Sequence, residues 1–112
     1  MGKNEKPLMI AILFLSTFLG ALGQLFFKIA MGKALFMLAG FMGIGIAMYL
    51  ISTVFYFYVL SKTNLSWAYS FGGLSYIFVD ILALLVLNEP VSPVRWAGVL
   101  VIAAGVALIG LS

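Results

Sequence analysis

The side chains in this sequence that could hold a ligand are few, and their spacing sorts them onto two helical faces. Ser16, Gly20, Gln24 and Lys28 recur every four residues with Gly23 alongside, so a helix here carries a hydroxyl, an amide and a cation in one line. Tyr69, Gly73, Tyr76 and Asp80 follow i, i+4, i+7 and i+11, aligning two phenols, a patch of bare backbone and a carboxylate on another face. An amide and a lysine near a helix end suit a phosphate or pyrophosphate, the ammonium acting as a point charge. The first line also reads as a packing seam, where small residues let helices approach and Ser or Gln bonds across, with Lys28 snorkelling to an interface. Asp80 lies well inside an apolar run, where an unpaired charge costs about 2.5–3.5 kcal/mol. It should therefore face protein or water, either bonded to a neighbouring helix or serving as a substrate or proton site.

Missing residue types exclude several chemistries. The sequence contains no cysteine and no histidine, which removes disulfides, zinc sites, thiol or histidine nucleophiles and Ser-His-Asp triads. Nothing pairs a nucleophile with a base, so no catalytic residue, metal or cofactor is expected and the chain does not read as an enzyme. A net charge of +3 is too small and too dispersed for a nucleic-acid surface. The basic residues instead mark the ends of apolar runs, as membrane anchors do.

These faces must ride on membrane spans. With 65% hydrophobic and 8% charged residues among 112 and a mean hydropathy of +1.26, the chain is too apolar to hide its side chains in a soluble core. A helix needs about 20 residues to cross the hydrocarbon, which divides the chain into spans at 8–30, 35–60, 65–87 and 94–111. The short connections make consecutive helices antiparallel neighbours. The expected fold is all-α: one membrane domain over residues 1–112, a four-helix up-down bundle with both termini on the same side. Uninterrupted apolar runs of this length exclude an alternating barrel. Lys3, Lys6 and Lys62 fall on one side and Lys28, Lys33 and Arg95 on the other, giving almost no positive-inside bias. The run after Lys6 imitates a signal peptide but continues past signal-peptide length, so it reads as retained. Four helices around one axis fill their own centre, so a substrate path calls for a dimer.

The other faces are smaller signals. Ala39, Gly43 and Ala47 on span two form a small-xxx-small packing surface, and Tyr49, Tyr56, Phe57 and Tyr58 read as an aromatic belt. Between spans three and four, Asn88-Glu89-Pro90-Val91-Ser92-Pro93 makes a polar hinge, since proline suits a turn or a helix start. Glu89 there reads as structural, pairing with Arg95 or accepting from turn amides. Span four repeats Gly98 and Gly105 seven residues apart, for packing within the bundle or against a second chain.

This wording resembles the drug/metabolite transporter superfamily, which takes in EamA-like proteins and the small multidrug resistance family. The resemblance covers nearly the whole chain: Gly23-Gln24-Leu25 with Lys28, Ala68-Tyr69, and Glu89-Pro90 followed by Trp96, Gly98 and Gly105. Within the superfamily it is closest to the small subunits of the aminoarabinose-phosphoundecaprenol flippase. It implies a dimer of four-helix chains in a bacterial or archaeal cytoplasmic membrane, joined through the glycine pair Gly98 and Gly105, and in the small multidrug resistance family an antiparallel one. It also implies that Tyr69 lines a binding chamber. Two departures weaken a drug-export reading: the exporters' first-span glutamate is replaced by Gly20, and a tryptophan one turn after the tyrosine is replaced by Gly72.

The function these readings favour is a flippase subunit that translocates a polyprenyl-phosphate-linked sugar. Ser16, Gln24 and Lys28 would face Tyr69, Tyr76 and Asp80 over one wet crevice across the dimer, with Lys28 on phosphate, Tyr69 and Gln24 on sugar hydroxyls, and Asp80 opposite any sugar amine. The alternatives are a proton-coupled exporter of cationic small molecules with Asp80 as the exchanging carboxylate, and a non-transporting partner subunit in a homodimer or heterodimer.

Overall fold

The computed structural model describes residues 5–112; Lys3, counted above among the orienting charges, lies outside them. The elements are α1 (Glu5–Ala30), α2 (Leu35–Lys62), α3 (Leu65–Ser70), α4 (Gly73–Val86) and α5 (Pro93–Leu111). Among the described residues these make four stretches long and apolar enough to cross a membrane, with α3 and α4 together forming the third, Leu65–Val86. The first connection turns at Gly32, whose φ of 86° is a backbone conformation that glycine adopts without steric cost. The last closes α4 through Asn88 in the left-handed region (φ 55°), while the Glu89 N–H returns to the Ala83 carbonyl at 3.1 Å. Asparagine tolerates that left-handed conformation better than most residues. Ser92 then caps α5 by accepting from the Arg95 N–H, with Pro93 in the first turn, where its missing N–H costs nothing.

The third span is not the continuous helix expected over 65–87. It breaks at Phe71–Gly72, where the N–H groups of Phe71, Gly72, Leu74 and Ser75 each bond three residues back, to Ala68, Tyr69, Phe71 and Gly72. That is 3₁₀ tightening. Adjacent Gly72 and Gly73 are the physical reason, since paired glycines are among the few causes of sharp helix kinks. Gly73 also sits hard against α5: a Cβ there would meet Ile102 Cγ2 at 3.0 Å and Val106 Cγ2 at 3.2 Å.

Packing places α1 centrally, mainly against α2 and then α4, while α5 packs on α4 and α3. The molecule is a slab, with principal extents of 49 × 33 × 18 Å, rather than a square bundle closed around one axis. Its apolar core gathers at one end, from Met9, Leu13, Val59, Ala68, Phe71, Leu74 and Val106. Trp67 reinforces that end by donating its indole N–H to the Ile109 carbonyl at 3.0 Å and packing its ring 4.8 Å from Phe71. Lys6 Nζ donates to the Ser112 carbonyl there at 3.4 Å, so the start of α1 and the end of α5 lie side by side.

Where α1 crosses α2 the helices approach closely. A Cβ on Gly23 would meet the Gly45 carbonyl at 2.9 Å, and one on Gly45 would meet the Phe27 ring at 2.7 Å. The small residue that α2 contributes to packing is therefore Gly45. The expected stripe of Ala39, Gly43 and Ala47 is exposed and Gly43 has open space around it, because it lies on the opposite side of α2 from α1.

Candidate functional site

A cleft of about 620 Å³ opens between α1, α2 and the broken third span, within the size range of small-ligand sites. Each wall is one helical stripe. From α1 come Leu13, Ser16, Thr17, Gly20 and Gln24; from α2, Tyr49, Ser52, Thr53 and Tyr56; beyond the break, Gly72, Gly73, Ser75, Tyr76 and Val79, with Ala68 and Tyr69 before it. None of these residues is charged. The break belongs to this wall, consistent with the rule that irregular backbone at membrane depth is tolerated where it lines a cavity.

Several hydroxyls in the wall are already engaged. Ser16 Oγ donates to the Ser52 carbonyl at 2.8 Å and Ser52 Oγ to the Ser16 carbonyl at 2.6 Å. Thr17 donates to the Leu13 carbonyl at 2.8 Å and Thr53 to the Tyr49 carbonyl at 2.9 Å. The Tyr56 hydroxyl differs: it is buried and has no hydrogen-bond partner, although it stands in the wall of a polar cleft. An unsatisfied buried hydroxyl costs about 1–3 kcal/mol, and a ligand hydroxyl or phosphate oxygen would relieve that cost. Tyr69 and Tyr76, 73% and 67% exposed, hold their rings at the open side.

A second cleft of about 350 Å³ lies between α1 and the end of α4. It is lined by Gln24, Lys28, Val79, Ala83 and Glu89, with Ala21, Leu25, Leu82 and Leu87 completing the wall. Gln24 and Val79 line both clefts, so the two are neighbours.

The expected site residues thus divide. Ser16, Gln24, Tyr69 and Tyr76 share the larger cleft, with Ser16 committed to the α1–α2 seam. Lys28 stands in the smaller one. Asp80 lines neither: the cleft side of α4 runs through Ser75, Tyr76, Val79 and Ala83, and Asp80 lies about 100° round from Val79. The larger cleft is also built within one chain, because the slab leaves α2 and the third span apart on one side of α1. The hinge residues diverge as well, since Glu89 reaches the Lys28 cleft while Pro90 is exposed. Around Gly98 and Gly105 there is open space, so neither packs within the bundle.

Tyr49, Thr53 and Tyr56 are the contributors that read as an aromatic belt or passed unread in the sequence. Their i, i+4, i+7 spacing was the available signal. Among the described residues, no group of three or more acidic or other ligand side chains is placed to hold a metal.

Similarity to known proteins agrees with this architecture. A relative from Escherichia coli (strain 55989 / EAEC), named as probable 4-amino-4-deoxy-L-arabinose-phosphoundecaprenol flippase subunit ArnE, is 29% identical over 103 residues, covering 88% of this chain and 93% of the relative. A protein of the same name from Pseudomonas fluorescens (strain Pf0-1) is 38% identical over 52 residues, 46% of each chain. No solved structure matches. The model of the EamA-like transporter family matches residues 3–111. Since that match takes in all but the extreme ends of the sequence, this multi-pass membrane protein belongs to the EamA-like transporter family.

Proposed function

We propose that this chain is a subunit of a flippase that carries a polyprenyl-phosphate-linked sugar across the cytoplasmic membrane. The observation that carries the reading is the larger cleft: uncharged, walled by phenols and an amide, open to one side, and holding the unpartnered Tyr56 hydroxyl. Such a surface suits a polyhydroxylated ring, whose apolar faces lie on aromatic rings while its hydroxyls bond phenol and amide groups. Gln24, Tyr56, Tyr69 and Tyr76 hold the sugar, and Lys28 holds the phosphate in the adjoining cleft, leaving the polyprenyl tail in lipid. The relatives' names, flippase subunits for a lipid-linked amino sugar, support the substrate class and the need for a second chain. The open face of α5 around Gly98 and Gly105 is the surface assigned to that chain, which is a second copy or a similar small subunit. Proton-coupled cation exchange through Asp80 has less support, because Asp80 lines neither cleft.

The test is surface labelling of the lipid-linked sugar in cells with and without this chain and any paired subunit. Labelling should fall on deletion and return with the intact gene; unchanged labelling removes the proposal.

A further inference from the structure

We infer that the smaller cleft is a capture site for a zwitterionic headgroup, with Glu89 holding an ammonium and Lys28 the phosphate. This rests on the lipid-linked sugar reading above and narrows it to headgroups that carry an amine.

Three observations converge. First, one acidic and one basic side chain, far apart in sequence, line a single cleft of about 350 Å³. Lys28 is placed there by the last turn of α1. Glu89 is placed by the left-handed Asn88 and by its own N–H folded back onto the Ala83 carbonyl, which turns the hinge over the cleft instead of away from it. Second, that cleft adjoins the larger one, with Gln24 and Val79 lining both, so a headgroup captured in it lies beside the larger wall. Third, the larger cleft has no charged wall residue. An ammonium would be left unpaired there, and an unpaired charge at membrane depth is costly, whereas the smaller cleft offers Glu89 for the ammonium beside Lys28 for the phosphate. Opposite charges in the smaller cleft and none in the larger suit a ligand that carries both. A carboxylate accepting from an ammonium makes a charge-assisted hydrogen bond, and this assigns to Glu89 a ligand contact in place of a purely structural role.

The experiment measures equilibrium binding to the purified full-length chain, with any partner it assembles with, in lipid nanodiscs. The probes are a short-chain isoprenyl phosphate ester of an amino sugar, its N-acetyl analogue, and the lipid-free amino-sugar phosphate. The wild type should bind the free amine about tenfold more tightly than the N-acetyl analogue, the effect of one hydrogen bond to a charged group. Glu89→Gln should abolish that ratio without weakening the N-acetyl analogue, and Lys28→Gln should weaken both lipid probes. Equal binding of both lipid probes by the wild type, or an amine preference that survives in Glu89→Gln, overturns the inference and leaves the flippase reading intact. Full recovery of binding in the charge-swapped Lys28→Glu/Glu89→Lys chain also overturns it, since only a mutual ion pair tolerates exchange. Tight, Glu89-dependent binding of the lipid-free probe alone keeps the subsite but removes the lipid-linked substrate. Binding of no probe removes both.

Discussion

Ser16 and Ser52 bind α1 to α2 reciprocally: each hydroxyl donates to the other residue's main-chain carbonyl, at 2.8 and 2.6 Å, with 3.2 Å between the two oxygens. The pair forms because Gly20, one turn along, lets the helices close; a Cβ there would meet Ser52 Oγ at 3.2 Å. Ser16→Ala and Ser52→Ala should each cost about 1 kcal/mol of stability, and the double variant should cost less than the sum because the hydroxyls touch. Thermal unfolding in a mild detergent measures this. A large loss of ligand affinity at unchanged stability would show that Ser16 acts on the ligand instead.

The glycines of this chain should separate by what surrounds them. Gly45→Ala drives a methyl into the Phe27 ring and the Gly23 carbonyl, 2.7 and 2.9 Å away, and overpacking of this kind costs about 1–3 kcal/mol. Gly98→Ala and Gly105→Ala enter open space and should leave the unfolding temperature of the single chain unchanged. If α5 is the assembly face, a bulkier pair such as Gly98→Leu with Gly105→Leu shifts the complex toward monomer in size-exclusion chromatography. Intact assembly in that double variant places the contact elsewhere.

Tyr56 offers the sharpest separation of stability from function. Its hydroxyl is buried without a partner, so Tyr56→Phe should be neutral or slightly stabilising, relieving part of a penalty of about 1–3 kcal/mol. The same change should weaken binding of a sugar-bearing ligand about tenfold, the worth of one lost hydrogen bond. Thermal melts and binding isotherms on one preparation check both. Unaltered affinity would take Tyr56 out of the site.

The span positions were legible because each apolar run is long and each polar interruption short, leaving lipid-crossing helices as the one arrangement that satisfies the backbone. The break at Phe71–Gly72 was not, because two glycines in an apolar run look the same as a close-packing patch until the neighbours are known. Asp80 misses the cleft for a reason independent of the break: α4 is continuous from Gly73, its cleft stripe runs through Tyr76, Val79 and Ala83, and Asp80 lies about 100° round from Val79. Tyr49 and Tyr56 were hidden for another reason. Tyrosines toward a span's end have a ready interfacial explanation, and composition cannot tell a lipid-facing phenol from one turned toward a neighbouring helix. Gln24 and Tyr69 come to line one cleft because their stripes on α1 and α3 both border it.

The concentration of the core at one end has a mechanical meaning. Met9, Leu13, Val59, Ala68, Phe71, Leu74 and Val106 knot the rods together where the chain begins and finishes, while Leu35, Phe36 and Met37 at the opposite tip of α2 stay 77%, 92% and 54% uncovered. Prising the rods apart breaks many apolar contacts at the knotted end and few at the loose one. The rods are thus held most firmly near Trp67 and least around Phe36.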